Sequence, residues 1–110
     1  MAEYVVAGAT GHVGSVVAQT LLDSGRKVRV IVRDTHKAER WKKRGAHVGQ
    51  VDLSNVHDLL NGLRGTEAAF LLLPPFPPNT SGVRGKAKKM IDAMVHAIAG
   101  TDVKHVVFLS

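Results

Sequence analysis

The chain has 110 residues, 45% hydrophobic and 22% charged, with a formal net charge of +6. That length suits one domain and not two, and the composition excludes a disordered or fibrous chain. There is no cysteine, which excludes a disulfide scaffold, a thiolate zinc site and cysteine catalysis, and fits a cytoplasmic setting. The longest strongly apolar run, Ala68 to Leu73, is far shorter than the roughly 18 residues of a membrane helix. Met1-Ala2-Glu3-Tyr4 has no basic stretch, so no secretory signal is expected. The positive balance favours anionic ligands, either nucleotide phosphates or nucleic acid.

In chain order, Tyr4 to Ala7 favours a strand and ends at a glycine cluster. Val13, Val16, Val17, Thr20 and Leu21 then recur at helical spacing, which predicts a helix from His12 to Ser24 closed by Gly25. Lys27 to Val32 predicts a second strand. Thr35 to Arg44 predicts a short polar helix, with Thr35 as a plain cap and Gly45 as the stop. Ala46 to Val51 predicts a third strand. Ser54 is suited to cap a helix over Val56, Leu59, Leu60 and Leu63, with Gly62 and Gly65 loosening its end. Ala68 to Leu73 is the strongest strand in the chain. The segment from Pro74 to Pro78 excludes both helix and central strand, so it reads as a stiff loop. Ser81 or a neighbour starts a helix over Val83, Ala87, Met90, Ile91, Met94, Val95 and Ile98, ended by Gly100. Val103 to Leu109 predicts a fifth strand.

Strands and helices thus alternate, and the strands are almost uninterrupted apolar runs. That pattern predicts a three-layer α/β domain over residues 1–110, with a parallel sheet covered by helices on both faces. Right-handed crossovers leave few topologies, and the order 3-2-1-4-5 is expected for a Rossmann-like start.

The segment that carries chemistry is Gly8-Ala9-Thr10-Gly11-His12-Val13-Gly14. Its three glycines lie three apart, between the first strand and the first helix. Gly8 permits a turn that a Cβ would obstruct. Gly11 lets backbone approach a pyrophosphate, and Gly14 lets the helix pack closely. The helix start offers unpaired N–H groups and partial positive charge, the His12 N–H among them. This strand–turn–helix setting is what makes the glycine triplet informative.

With these residues the sequence resembles the atypical and extended short-chain dehydrogenase/reductases, particularly the NmrA-like group of NAD(P)-binding proteins. Their loop is GxxGxxG rather than the GxGxxG of conventional dehydrogenases. The resemblance spans the chain, through Val30 to Asp34, Val51-Asp52-Leu53 and Phe70 to Pro75. It implies a dinucleotide cofactor held by Gly8, Thr10, Gly11, His12, Val13 and Gly14. It also implies that Asp52 and Leu53 border the adenine, and that Leu73 and Pro74 form a wall along the adenosine. Ser110 would fall near the nicotinamide side.

The end of the second strand meets the adenosine ribose in such folds, where an acid selects NAD and an arginine accommodates the 2′-phosphate of NADP. Val32 stands where similar NAD-binding enzymes carry the acid, and Arg33 follows it. A guanidinium forks onto phosphate with charge assistance, and Lys37, one turn on, is a second contact. NADP(H) is therefore expected, with NAD as the alternative should Asp34 face the ribose instead of starting the next helix. Hydride transfer to a small carbonyl or quinone-like substrate is the activity the resemblance implies for the complete protein. The family's tyrosine–lysine catalytic pair, where present, comes after the fifth strand, and Tyr4 cannot match it. A non-catalytic redox-sensing or regulatory role is the alternative.

Six histidines lie one per element, without the spacing of a chelating pair, so no metal site is expected. Arg40-Trp41-Lys42-Lys43-Arg44, with Lys86, Lys88 and Lys89, suits a nucleic-acid module. Such runs more often mark solvated helix faces, with Trp41 then packing its helix against the sheet edge, and that is the expectation. The chain is expected to stop short of a full domain after the fifth strand, leaving an apolar face open to self-association.

Overall fold

The computed structural model describes residues 3–73, 79 and 81–109. Five strands form one parallel sheet: β1 (Glu3–Ala7), β2 (Lys27–Val32), β3 (His47–Gln50), β4 (Ala68–Leu72) and β5 (His105–Leu109). Their order is β3-β2-β1-β4-β5, the expected one. Val5 is in register with Arg29 on β2 and Ala69 on β4, which sets β1 at the centre.

Successive side chains on a strand face opposite ways, so each strand feeds two cores. Val5, Ala7, Ile31, Ala69 and Leu71 pack against Leu59 and Leu63 of α3 (Val56–Leu63) and Ala93, Met94 and Ala97 of α4 (Val83–Ala99). Val6, Val28, Val30 and Val32 pack on the other face against Ala18 of α1 (His12–Asp23) and Trp41 of α2 (Glu39–Lys43). Helices thus lie on both faces. At the β5 edge, Val106, Val107 and Phe108 remain exposed. Register with Ala69, Phe70 and Leu71 distributes these three over both faces.

Several local expectations are corrected. The second helical stretch is divided, a 3₁₀ turn over Thr35–Ala38 running into α2. Its cap is Asp34 rather than Thr35, with Asp34 Oδ1 accepting from the His36 N–H at 3.0 Å. The cap of α3 is Asn55, whose Oδ1 accepts from the Asp58 N–H at 3.1 Å. Ser54 is drawn away, because its N–H and hydroxyl both donate to Asp52 Oδ1, at 2.9 and 2.7 Å. Gly62 does not loosen α3. It lets the helix approach the sheet, since a Cβ there would lie 3.0 Å from Val51 Cγ2. β3 is shorter than expected by one residue at each end. As predicted, α1 stops at Gly25, whose N–H donates to the Leu22 carbonyl while the Arg26 N–H reaches back to Leu21.

At the amino end of the sheet, charge is satisfied internally. Glu3 is buried, and its carboxylate pairs with Arg29 and with His47 Nδ1, the latter at 2.6 Å. Arg29 Nη1 also donates to the carbonyls of Gly62 at 2.9 Å and Arg64 at 3.0 Å. One carboxylate and one guanidinium thus tie β1, β2 and β3 to the end of α3.

Candidate functional site

The site begins where β1 stops. Ala7 is followed by Gly8 in the left-handed region at φ +74°, a conformation that costs a Cβ-bearing residue and not glycine. The turn closes with the Gly11 N–H donating to the Gly8 carbonyl at 2.9 Å. Gly14 then sits so near that a Cβ would lie 2.1 Å from the Gly8 oxygen, so only glycine fits. The nearest atom to a Cβ on Gly11 would be that same oxygen at 3.4 Å, which leaves the outer side of the turn open. Gly11 caps α1 without a side-chain hydrogen bond, and no acidic residue occupies the first turn. The positive end of the helix is therefore uncompensated by the chain itself.

Beside this turn, at the carboxyl ends of β1, β2 and β3, lies a cleft of about 730 Å³, within the range of small-molecule sites. Gly8 and Thr10 form its β1 side, Val32 to Lys37 its β2 side, and Gln50 to Leu53 its β3 side, with Met90 of α4 opposite. Arg33 and Lys37 are exposed here. No ion pair among the described residues engages either of them. Two cations thus line one concavity with no ion-pair partner among the described residues, an arrangement suited to a phosphate.

Asp52 supplies the cleft's anionic group. The Ser54 backbone N–H and hydroxyl hold its carboxyl below the ordinary carboxylate range. Burial opposes this by less than the Ser54 hydrogen bonds, and nearby Arg33 and Lys89 add smaller contributions to the lowering. It is therefore an ionised acceptor at neutral pH. Asp34 also borders the cleft, but its carboxylate is engaged by the His36 N–H.

Of the sequence-predicted residues, Gly8, Thr10, Arg33, Lys37, Asp52 and Leu53 come together in this cleft. Gly11, His12, Val13 and Gly14 form the adjoining turn and the start of α1, with the His12 and Val13 side chains exposed and outside the lining. Leu73 follows β4, half-buried and also outside the lining. Pro74, the rest of the proline loop to Pro78, and Ser110 fall outside the described residues. Met90, His36 and Gln50 were not anticipated. Met90 shares its helical stripe with Met94, and the sequence reads both as core. Nothing in the spacing distinguishes the one that borders the cleft.

The basic run around Trp41 presents no aromatic platform to a nucleic acid. Trp41 is 1% exposed, so a base cannot stack on it, while Arg40 and Arg44 lie over its ring at 5.0 and 5.3 Å. Among the described residues, no group of His, Asp or Glu side chains could hold a metal ion, and no helix is long and apolar enough to cross a membrane.

The fold has known counterparts. A Citrobacter sp. triphenylmethane reductase, also solved in complex with NADP(H), superposes with a TM-score of 0.84 at 23% identity, over 99% of this chain and 37% of that one. An NADPH-dependent quinone oxidoreductase from Escherichia coli, solved with NADPH, gives a TM-score of 0.77 at 25% identity, over 96% of this chain and 35% of that one. The photosystem II assembly factor Ycf39 of Cyanophora paradoxa is 31% identical over 106 residues, 96% of this chain and 33% of its own length. The chain therefore spans about a third of the length of each of these relatives. The sequence profile of the NmrA-like family matches residues 3–110, from the first residue of β1 past the end of β5; the chain belongs to the NmrA-like family.

Proposed function

We propose that the chain is the NADP(H)-binding part of an NmrA-like oxidoreductase. The observation that carries this reading is the pair Arg33 and Lys37, exposed just after β2 with no ion-pair partner among the described residues and lining one cleft with Gly8 and Thr10. The pyrophosphate would be held at the turn, where Gly11 is open and the N–H groups of His12 and Val13 begin α1. The 2′-phosphate would be held by Arg33 and Lys37, and the adenine by the ionised acceptor of Asp52 and the apolar side of Leu53. Leu73 and Pro74 complete the proposed set as the adenosine wall. A 730 Å³ cleft with cations at one side and an acceptor at the other suits that ligand. The NADP(H) and NADPH complexes of the Citrobacter and Escherichia coli proteins support it.

When bound, the dinucleotide supplies hydride chemistry, directed in the whole protein at a small carbonyl or quinone-like substrate. The residues of this chain bind and orient the adenosine end. Tyr4 lies in β1 with Arg26 over its ring at 5.7 Å and outside the cleft lining, so it is not placed to act at the reacting end. A second reading, cofactor-dependent regulation without turnover, draws support from the relative named as an assembly factor.

Calorimetric titration with NADPH and NADH tests the cofactor assignment, and the expected result is tighter binding of NADPH. Equal affinities would remove the role given to Arg33 and Lys37, and no binding of either would remove the reading altogether. Reduction of a quinone panel by the longer protein separates oxidoreductase from regulator.

A further inference from the structure

Ala9 is fully buried inside the glycine turn, and a buried carbonyl needs a donor. Its oxygen finds one far along the chain, because Trp41 Nε1 donates to it at 3.2 Å and Arg40 Nη2 approaches at 3.4 Å. Both donors belong to α2, the helix that follows the Arg33–Lys37 segment. Trp41 is itself held, since it packs with Val30 and Ala46 in the core, and the guanidinium groups of Arg40 and Arg44 lie over its ring.

The peptide joining Ala9 to Thr10 is planar and trans, as are all the described peptide bonds, so its N–H points opposite to its C=O. Pinning the Ala9 carbonyl from the α2 side therefore fixes the direction of the Thr10 N–H, and Thr10 lines the cleft. Donors on the carbonyl also polarise the peptide and strengthen its N–H as a donor.

We propose that Trp41 is a positioning residue for the phosphate turn. Its indole N–H anchors the Ala9 carbonyl and so holds the Thr10–Gly11 backbone in its anion-receiving geometry, coupling that turn to the helix behind Arg33 and Lys37. The proposal rests on the dinucleotide reading of the cleft for its ligand, but the anchoring itself is a property of the free chain.

The test is Trp41→Phe, which keeps an aromatic ring and removes the donor, read in two ways. The first readout is titration with NADPH and, separately, with adenosine 2′-monophosphate, which carries the 2′-phosphate and no pyrophosphate. NADPH is expected to weaken about tenfold, the loss of one hydrogen bond that orients others, with binding of the monophosphate unchanged. Equal weakening of both ligands would overturn the proposal in favour of general displacement of α2. The second readout is amide hydrogen exchange of the free chain, expected to be faster at Gly11, whose N–H closes the turn on the Gly8 carbonyl, and unchanged in β1 and β2. Unchanged exchange at Gly11 would overturn it. If Trp41→Phe does not fold, Arg40→Ala removes the second donor from an exposed position, and a smaller change at the same amide is expected, its absence being the negative result. If the wild-type chain binds neither ligand, the dinucleotide reading fails, while the exchange result still decides the anchor.

Discussion

The two ends of the sheet treat charge in opposite ways. At the amino end, Glu3 and Arg29 neutralise one another, His47 Nδ1 hydrogen-bonds the same carboxylate, and the guanidinium also donates to the carbonyls of Gly62 and Arg64. At the carboxyl end, Arg33 and Lys37 face a cleft with no carboxylate paired to them among the described residues, and the helix start beside them carries no acidic cap. The chain has enough acids to balance these cations, and Asp34 and Asp52 both lie nearby. Each is turned to a local backbone donor instead. Charge at the amino end is closed on itself, whereas the cations at the carboxyl end, proposed to meet a phosphate, have no ion-pair partner among the described residues.

Gly14→Ala should break the open end most severely. A methyl 2.1 Å from the Gly8 oxygen forces the turn and α1 apart, which should cost about 3 kcal/mol of stability and abolish NADPH binding. Urea unfolding and calorimetry measure the two effects, and a variant of wild-type stability would contradict the packing described. Arg33→Ala comes next. It should weaken NADPH by about 1–3 kcal/mol and NADH far less, and equal losses for both would remove its assignment to the 2′-phosphate.

Glu3→Gln probes the closed end. The pair is only partly shielded, Arg29 being 23% and Glu3 9% exposed at the side chain, so a loss of about 1–2 kcal/mol is expected rather than that of a fully buried pair. Affinity for NADPH should not change, and if it fell with stability the two ends would not be independent. Asp52→Asn should have the smallest effect. Its carboxyl is held below the ordinary range in the folded chain, so it adds stability that is present above the unfolded value and lost as pH falls through the folded one. Unfolding curves below about pH 4 should therefore be flatter in the variant, and curves parallel to wild type would show that the Ser54 contacts do not persist in solution.

How far the sequence could be read follows from how local each cause is. The glycine turn, the parallel sheet and the strand order were legible, because spacing within Gly8 to Gly14 and the handedness of crossovers decide them over short stretches. Arg33, Lys37, Asp52 and Leu53 were reachable because each follows a strand end, and strand ends meet at one edge of such a sheet. Competition between neighbours was not legible: Ser54 and Asn55 are both good caps, and Asn55 takes the role only because Asp52 engages Ser54. Nor were distant partners. Gly62 resembles a helix breaker until Val51 is found beside it. The indole of Trp41 reads as packing alone until its N–H meets a carbonyl 32 residues upstream.

Trp41 is the only tryptophan in the chain, and that has a practical meaning. The protein's indole emission arises from a single ring, hydrogen-bonded to the backbone of the glycine turn. Its colour and intensity therefore describe that turn rather than an average over the molecule, so the chain carries its own optical gauge of the segment proposed to hold the phosphates.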